Sequence, residues 1–497
     1  MKRRSLTAFA LGAATVAGFA PLGIFPLPFL TLAYLFHLWR QAASSRQGAL
    51  LGFAWGLGFF LTGVSWVYVS LNEFGGMAPP IATLATLLFC MTLAALPALA
   101  GGSFVRWRRG TPWADALLAA GLWTLTEWLR GWIFTGFPWL SIGYAQTPPS
   151  PLAGYAPILG VYGITLAVAF GAAVFASGCG KLRAVLVLAA IVAIGFLLRQ
   201  IEWTQPVGAP IRVSLLQGNI SQKLKWDPQR LPLSLRTYVS LAQEHPADLT
   251  VLPETALPLF FDELPRALLH DLTTHGPVLF GVVLQTRAGG YTNGAVVVVR
   301  KGEDDFAVQG YAKRHLVPFG EYGPSGFGWF FDLVSIPMSD FTAGAAHQPP
   351  LAIAGQKIAA NICYEDAFGA EIIDALPEAT LLVNLSNTAW FGDSLAQPQH
   401  LQISRLRAIE TGRPNLRATN TGMTAFIAPD GSVTAVLDPF TTGALVVSVQ
   451  GYAGVTPYVR YGNTAAVMLA LFALLISLSC RRPTLPATEP ALPTNAE

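Results

Sequence analysis

Charge is scarce in this sequence. Only 12% of its 497 residues are Asp, Glu, Lys or Arg, while 53% are hydrophobic; an ordinary soluble domain is roughly 25% charged. So few charges cannot cover a soluble surface of this size. The shortage is also uneven, because ionisable residues are sparse before residue 200 and after 460 and ordinary between them. Two physical environments follow. A formal net charge of +3 excludes the strongly basic surface that a nucleic-acid partner needs. The seven histidines are scattered and show no metal-ligand spacing, and no G-x-S-x-G or P-loop motif occurs, so neither a metal nor a cofactor is expected. Internal repeats are absent. The one biased tract is the Pro-rich tail after Pro483, read as disordered.

Long apolar runs are plentiful. They cover Thr7–Gly23, Ile24–Trp39, Ala49–Val69, Ala78–Gly101, Trp113–Trp128, Ala153–Ser177, Ala184–Leu198 and Asn463–Cys480. Several approach the roughly 20 residues needed to cross a bilayer core. The first two are short and joined at Pro21–Pro28, where a broken hairpin is the alternative. The basic start at Lys2, Arg3 and Arg4 lacks a small-residue cleavage site before a hydrophilic stretch, so the first helix is expected to be retained.

Lys and Arg are held on the cytoplasmic side during insertion. One set of alternate helix ends carries Lys2, Arg3 and Arg4; Arg40 and Arg46; Arg106, Arg108 and Arg109; Lys181 and Arg183; and Arg481 and Arg482. The other set offers little beyond Arg130 and Arg199. Eight helices with both termini cytoplasmic fit this distribution, and residues from about 200 to 460 then lie outside the cytoplasm, in the periplasm of a bacterium with two membranes. Of the four cysteines, Cys90, Cys179 and Cys480 lie in or beside helices, which leaves Cys363 alone in the exported segment. Oxidising compartments pair or eliminate cysteines. A lone thiol there is either reactive or a buried, inert side chain.

Within that segment, Ile211–Gln217, Leu249–Pro253, Val278–Leu284, Ala295–Arg300, Ile358–Tyr364, Leu381–Ser386, Thr424–Ala428 and Leu445–Val449 read as strands. Pro228–Glu244, Leu264–His275, Ala367–Leu376 and Gln399–Gly412 read as helices. This is an α/β domain with buried strands. Rigid strands aim side chains best at their ends. Glu254 follows the second strand, Cys363 closes the fifth, and Lys313 lies in Tyr311–Tyr322. A carboxylate, an amine and a thiol are the parts that activate a sulfur nucleophile and hold a tetrahedral oxyanion. Taken singly, the Glu is equally a cap and the Lys a solvated charge. Glu127 and Arg130, three residues apart near a helix end, suit an i,i+3 pair near the membrane surface. The loop Gly323–Gly344 crowds Phe327, Trp329, Phe330, Phe331, Leu333, Val334, Ile336 and Met338, an apolar density that marks a membrane-facing lid or a loop packed on its own core.

Several ordered motifs carry a resemblance. They are Leu252-Pro253-Glu254, the run from Lys313 to Tyr322, Cys363-Tyr364-Glu365, and Asn384-Leu385-Ser386-Asn387 with Trp390-Phe391-Gly392. Gln217-Gly218-Asn219, Trp226-Asp227, Gly412-Arg413-Pro414 and, in the membrane part, Gly136-Phe137-Pro138-Trp139 extend it. Together they resemble the nitrilase superfamily and, within it, the apolipoprotein N-acyltransferases, over nearly the whole chain. One departure is Thr388, where the family often has an acidic residue; it touches a local ion pair or loop conformation, not the triad.

The resemblance implies a polytopic α-helical membrane protein with an inserted α/β nitrilase-like αββα sandwich. Its parts would be transmembrane helices 1–7 in 1–199, a periplasmic catalytic domain in 200–460, an eighth transmembrane helix in 461–482 and a cytoplasmic tail in 483–497. It implies Glu254 as general base, Lys313 as the cation at the oxyanion and Cys363 as the nucleophile. Glu321 and Glu365 would support them, Tyr364 and Trp226 would shape the substrate site, Asn387 would orient the facing loop, and Trp329, Phe330 and Phe331 would form the lid. The implied reaction moves a fatty acyl chain from a phospholipid, through a Cys363 thioester, to the α-amino group of a diacylated lipoprotein, with the enzyme a monomer in the inner membrane. A membrane-tethered amidase using the same triad is the rival reading, and a transporter or inactive scaffold is a second; the latter is disfavoured by helices with almost no midplane charge.

Overall fold

The structure, a computed structural model, describes residues 1–480 apart from 223–224, 226–228, 287–288, 304 and 324–339. Trp226, the lid residues Trp329, Phe330 and Phe331, and the tail from 481 lie outside the described residues.

Each apolar run of the sequence folds as helix: α1 (Lys2–Thr15), α2 (Leu27–Arg40), α3 (Ser45–Gly63), α4 (Pro79–Trp107), α5 (Pro112–Arg130), α6 (Ala156–Ser177), α7 (Lys181–Leu198) and, near the C-terminus, Thr464–Ser479. Among the described residues, three are long and apolar enough to cross a membrane: α4, Pro151–Ser177 (which contains α6) and α7. A fourth span results if α3 and Trp66–Phe74, bent by 52° at their junction, count as one. Tight approach comes from glycine. A β-carbon on Gly58 or Gly52 would stand 2.1 Å from the carbonyl oxygens of Phe9 and Pro97 respectively, so α1 and α4 meet α3 backbone to backbone.

Glu127 and Arg130, at the end of α5, do not bridge each other. Both are buried, and both are committed to the loop that follows. The Glu127 carboxylate accepts from Ile142 N, Thr165 Oγ1 and Trp123 Nε1. Arg130 donates to the carbonyls of Phe137 and Trp139 and to Ser141 Oγ. The sequence spacing suited a surface pair; loop carbonyls took Arg130, and a loop N–H with the Thr165 hydroxyl and the Trp123 indole took Glu127.

Two sheets follow. The first contains β1 (Thr204–Gln217), β2 (Leu249–Val251), β3 (Leu257–Phe260), β4 (Val278–Gln285), β5 (Tyr291–Arg300), β6 (Phe306–Ala312) and β13 (Gly443–Gly454), in the order β13-β1-β2-β4-β5-β6 with β3 beside β4. The second contains β7 (Leu351–Ile353), β8 (Gln356–Ile362), β9 (Leu381–Ser386), β10 (Asn415–Thr419), β11 (Ala425–Ile427) and β12 (Val433–Val436), in the order β12-β11-β10-β9-β8-β7. Pairing is parallel at the centre of each, β1–β2–β4 and β8–β9–β10. Such pairing requires crossovers. α8 (Leu231–Glu244) joins β1 to β2, α9 (Arg266–Leu272) lies between β3 and β4, and α10 (Ala396–Thr411) joins β9 to β10.

The inner faces pack on each other, with Val213, Leu215, Val251 and Val297 meeting Ile358, Ile362, Val383 and Leu416. α8 and α9 cover the outer face of the first sheet through Tyr238, Leu241 and Leu268. α10 lies outside the second, with Leu401 and Ala408 against Ala425 and Ile427. The layers therefore run helix, sheet, sheet, helix. The reverse side of α10 is not solvent: Ile403, Leu406 and Ile409 belong to the apolar cluster of the bundle.

Candidate active site

The ends of the parallel strands converge. Glu254 lies just beyond β2, Cys363 directly follows β8, and Asn387 directly follows β9, while Lys313 extends β6 by one residue. The sequence reading carried the fifth strand through Cys363 to Tyr364; β8 stops at Ile362 and a 3₁₀ turn opens at the cysteine.

Glu254, Lys313 and Glu321 form one buried ionic cluster. Lys313 Nζ lies 3.3 Å from Glu254 Oε1 and 2.8 Å from Glu321 Oε2, and the lysine side chain is 1% exposed. Asn293, in β5, donates from Nδ2 to both carboxylates, 2.8 Å each. The other oxygen of Glu254 accepts the backbone N–H of Asn387 at 2.8 Å. Glu321 Oε2 also accepts Val317 N at 2.8 Å. Burial pulls the Lys313 amine down, but Glu321 and Glu254 outweigh it, so the ammonium is held well charged. Two of its three N–H groups can serve these carboxylates.

Cys363 sits at φ +54°, the left-handed region that a non-glycine residue occupies at a cost of about 1–3 kcal/mol. Its carbonyl oxygen accepts Asn384 Nδ2 and His400 Nε2, each at 3.2 Å. Burial pushes the thiol up to about 12, with Glu254 adding to the rise and Lys313 opposing it. The site therefore favours the thiol over the thiolate.

Glu365, two residues on, is a fixed strut. Its carboxylate accepts the N–H groups of Ile362 (2.6 Å), Arg314 (2.7 Å) and His315 (3.1 Å) and the Tyr311 hydroxyl (2.9 Å). It thereby ties the turn at Cys363 to the segment after Lys313. Tyr364 turns toward the bundle, where its hydroxyl donates to Gly136 O at 3.0 Å and its ring stacks on Phe137. Asn387 donates from Nδ2 to Gln222 Oε1 at 2.7 Å and accepts from Asn420 Nδ2 at 3.1 Å. Thr388 is buried at the start of the turn Thr388–Phe391, and its hydroxyl has no hydrogen-bond partner among the described residues, so no ion pair forms there.

Four residues of this neighbourhood were not singled out from the sequence. Asn293 is a buried amide in β5 just ahead of the apolar run Ala295–Val299, and a polar residue leading into such a run is the signal that could have found it. Lys225 is buried with Nζ 3.3 Å from the Glu254 carbonyl oxygen, and burial pushes its amine down to about 8 against the pull of Glu254 and Cys363. His400, on α10, bonds the Cys363 carbonyl, and Arg417, on β10, bonds His400. Among the described residues no cluster of His, Cys, Asp and Glu could hold a metal ion.

Comparison with known proteins matches residues 11–174 to the apolipoprotein N-acyltransferase N-terminal domain and residues 212–458 to the carbon-nitrogen hydrolase family. The apolipoprotein N-acyltransferase of Nitrosomonas europaea is 48% identical, over 97% of this chain and 99% of that one. Those of Ralstonia nicotianae and Chromobacterium violaceum are 46% and 45% identical, each over 95% of this chain and over 92% and 93% of their own.

Proposed function

The chain belongs to the apolipoprotein N-acyltransferase family, and from that premise we propose that it carries the acyl group as a thioester on Cys363. It is an N-acyltransferase of lipoproteins and a membrane protein. The observation that carries the mechanism is the pairing of a protonated, buried thiol with the Glu254–Lys313–Glu321 cluster.

Glu254 takes the thiol proton as sulfur attacks the ester carbon of a phospholipid. The C–S bond forms and the carbonyl oxygen gains charge beside Lys313. Collapse breaks the ester C–O bond, and Glu254 returns the proton to the departing lysophospholipid alkoxide. The free α-amino group of a diacylated lipoprotein then attacks the thioester, loses a proton to Glu254 and leaves as an amide, while the thiol is restored. Holding Glu254 by Asn293 and by the N–H of Asn387 keeps one carboxylate in place for both halves. Water is the competing acceptor, and the burial of Cys363 opposes it.

The arrangement in the membrane follows the basic residues. Eight helices span the inner membrane, seven within 1–199 and one within 461–482, with both termini cytoplasmic and the catalytic domain of 200–460 in the periplasm. Arg40, Arg108 and Arg109 support this, since each donates to backbone carbonyls at helix ends on the side assigned to the cytoplasm.

Incubation with phospholipid and no acceptor, followed by peptide mass spectrometry, tests the mechanism. One fatty acyl increment is expected on the Cys363 peptide, with lysophospholipid released; a diacylated lipopeptide should discharge it. Cys363→Ser should form no thioester. An active enzyme without that adduct overturns the proposal, and discharge by water at the same rate as by lipopeptide would favour the tethered amidase.

A further inference from the structure

The Cys363 turn is held from behind by side chains that do not face substrate. We infer that His400 is a positioning residue for the nucleophile, which fixes the Cys363 carbonyl and ties it to the bundle loop Gly136–Trp139. The inference rests on Cys363 being the nucleophile.

The geometry of the network follows from one residue. Arg417 is buried, and a guanidinium can only donate. Its Nη1 donates to Asn384 Oδ1 at 2.9 Å, and its Nη2 faces His400 Nδ1 at 2.9 Å. Nδ1 must therefore be the acceptor, and the ring proton is on Nε2, which faces the Cys363 carbonyl oxygen at 3.2 Å. In the same way the Asn384 oxygen faces Arg417, so its amide nitrogen donates to Cys363 O at 3.2 Å and to Asn361 Oδ1 at 2.6 Å. One charged donor thus sets both the tautomer of His400 and the orientation of Asn384. Asp366 balances the charge, 3.6 Å from Arg417 Nη1 and bonded to the Ser404 hydroxyl. Burial, and then Arg417, hold His400 well below its ordinary pKa, so the ring stays neutral and keeps a single donor.

Two N–H groups on one carbonyl matter because Cys363 adopts φ +54°. Rotating that peptide back toward an ordinary conformation would move the carbonyl and swing the thiol with it. Asn384 grips from within the second sheet. His400 grips from α10, and α10 is anchored in the bundle: the Trp139 ring lies 5.3 Å from the His400 ring, and Trp139 Nε1 donates to Gln399 Oε1 at 2.8 Å. The same loop receives the Tyr364 hydroxyl at Gly136. The loop therefore bears on the nucleophile from both neighbours, through the residue after it and through the histidine behind it.

Glutamine and asparagine at position 400 separate the two jobs of the ring. A Gln amide reaches the place of Nε2, and an Asn amide reaches only the place of Nδ1. His400→Gln keeps the donor to Cys363; His400→Asn keeps the partner of Arg417 and loses that donor. Both would be measured in detergent for acyl-enzyme formation on Cys363 from phospholipid, for the phospholipid KM and for melting temperature. His400→Asn should acylate about tenfold or more slowly than His400→Gln, with KM unchanged within about twofold and no lower melting temperature. Trp139→Leu should slow acylation several-fold in the wild type and have little further effect on His400→Asn. Equal rates for Gln and Asn, or rates that simply follow melting temperature, overturn the positioning role, and additive effects of Trp139→Leu overturn the link to the loop. A wild-type enzyme with no adduct on Cys363 would instead overturn the nucleophile assignment.

Discussion

Lys313 Nζ stands 3.3 Å from Glu254 Oε1, inside a cluster that also holds Glu321 at 2.8 Å. The contact is nearly sealed from solvent, so it binds each group to the charge state of the others. Replacing Lys313 with Met leaves two neighbouring buried carboxylates without their cation. Loss of one member of a buried ionic pair costs about 3–5 kcal/mol, and loss of an oxyanion donor costs about 10²–10³ in rate. The variant should therefore melt earlier and form the Cys363 adduct at least about 10²-fold more slowly. Normal acylation by a less stable protein would confine Lys313 to a structural role.

Glu254 and the Cys363 thiol are coupled in a way that separates thiolate content from activity. Burial and the Glu254 charge both favour the protonated thiol and push it up to about 12. In Glu254→Gln the negative charge is gone, so the thiolate form becomes easier to reach and the midpoint must move down in pH. Alkylation of Cys363 by iodoacetamide, followed on its peptide by mass spectrometry across pH 7–10, should be faster in the variant than in the wild type. Acyl transfer should nevertheless fall by about 10²-fold or more, because an amide cannot accept the proton. Equal alkylation rates in Glu254→Gln and wild type across that range would remove Glu254 from the thiol's surroundings.

Arg130 is held by the loop that follows α5. Its guanidinium holds the carbonyls of Phe137 and Trp139. Arg130→Met leaves both buried and unpaired, at about 1–3 kcal/mol each. A drop in melting temperature in detergent is expected, and Arg130→Lys should recover only part of it, since one ammonium does not reproduce a guanidinium fork. An unchanged melting temperature would show that the loop is held by other contacts.

The direction of insertion is open to a simple check. Gly302 lies just beyond β5 and is exposed, the kind of position where a fusion disturbs the fold least. An alkaline phosphatase reporter there should be active, and one placed after Arg482 should be silent. The reverse pattern would invert the whole assignment and put the site in the cytosol.

Much of the architecture was open to inspection in the sequence because hydrophobic periodicity is a local property. The apolar runs became helices, and Leu381–Ser386 became β9 with the same ends. β10 was missed: Asn415-Leu416-Arg417-Ala418-Thr419 carries polar residues that deny a strand pattern, yet all five are buried. Their partners, His400, Ser404 and Asn384, come from α10 and β9. The sequence reading placed a helix at Gln399–Gly412 without saying what covers it; Gln397, Gln399, His400, Gln402, Arg407 and Glu410 stud α10. It is buried on every side. Gln402 bonds Ala20 N, Gln399 bonds Trp139 and Glu410 bonds Val161 N on the bundle side, while Gln397 and His400 bond Thr388 and Cys363 in the α/β domain.

The sequence by itself determined where apolar segments and strands lie, which motifs the chain carries and where the basic residues fall, since each of these is fixed by neighbours along the chain. Only the tertiary structure decided that Asn293 joins Glu254 to Glu321, that Glu127 and Arg130 serve a loop instead of each other, and that His400 meets the Cys363 carbonyl. In each case a buried polar atom must find a partner wherever the fold brings one within reach, and sequence distance says nothing about that reach.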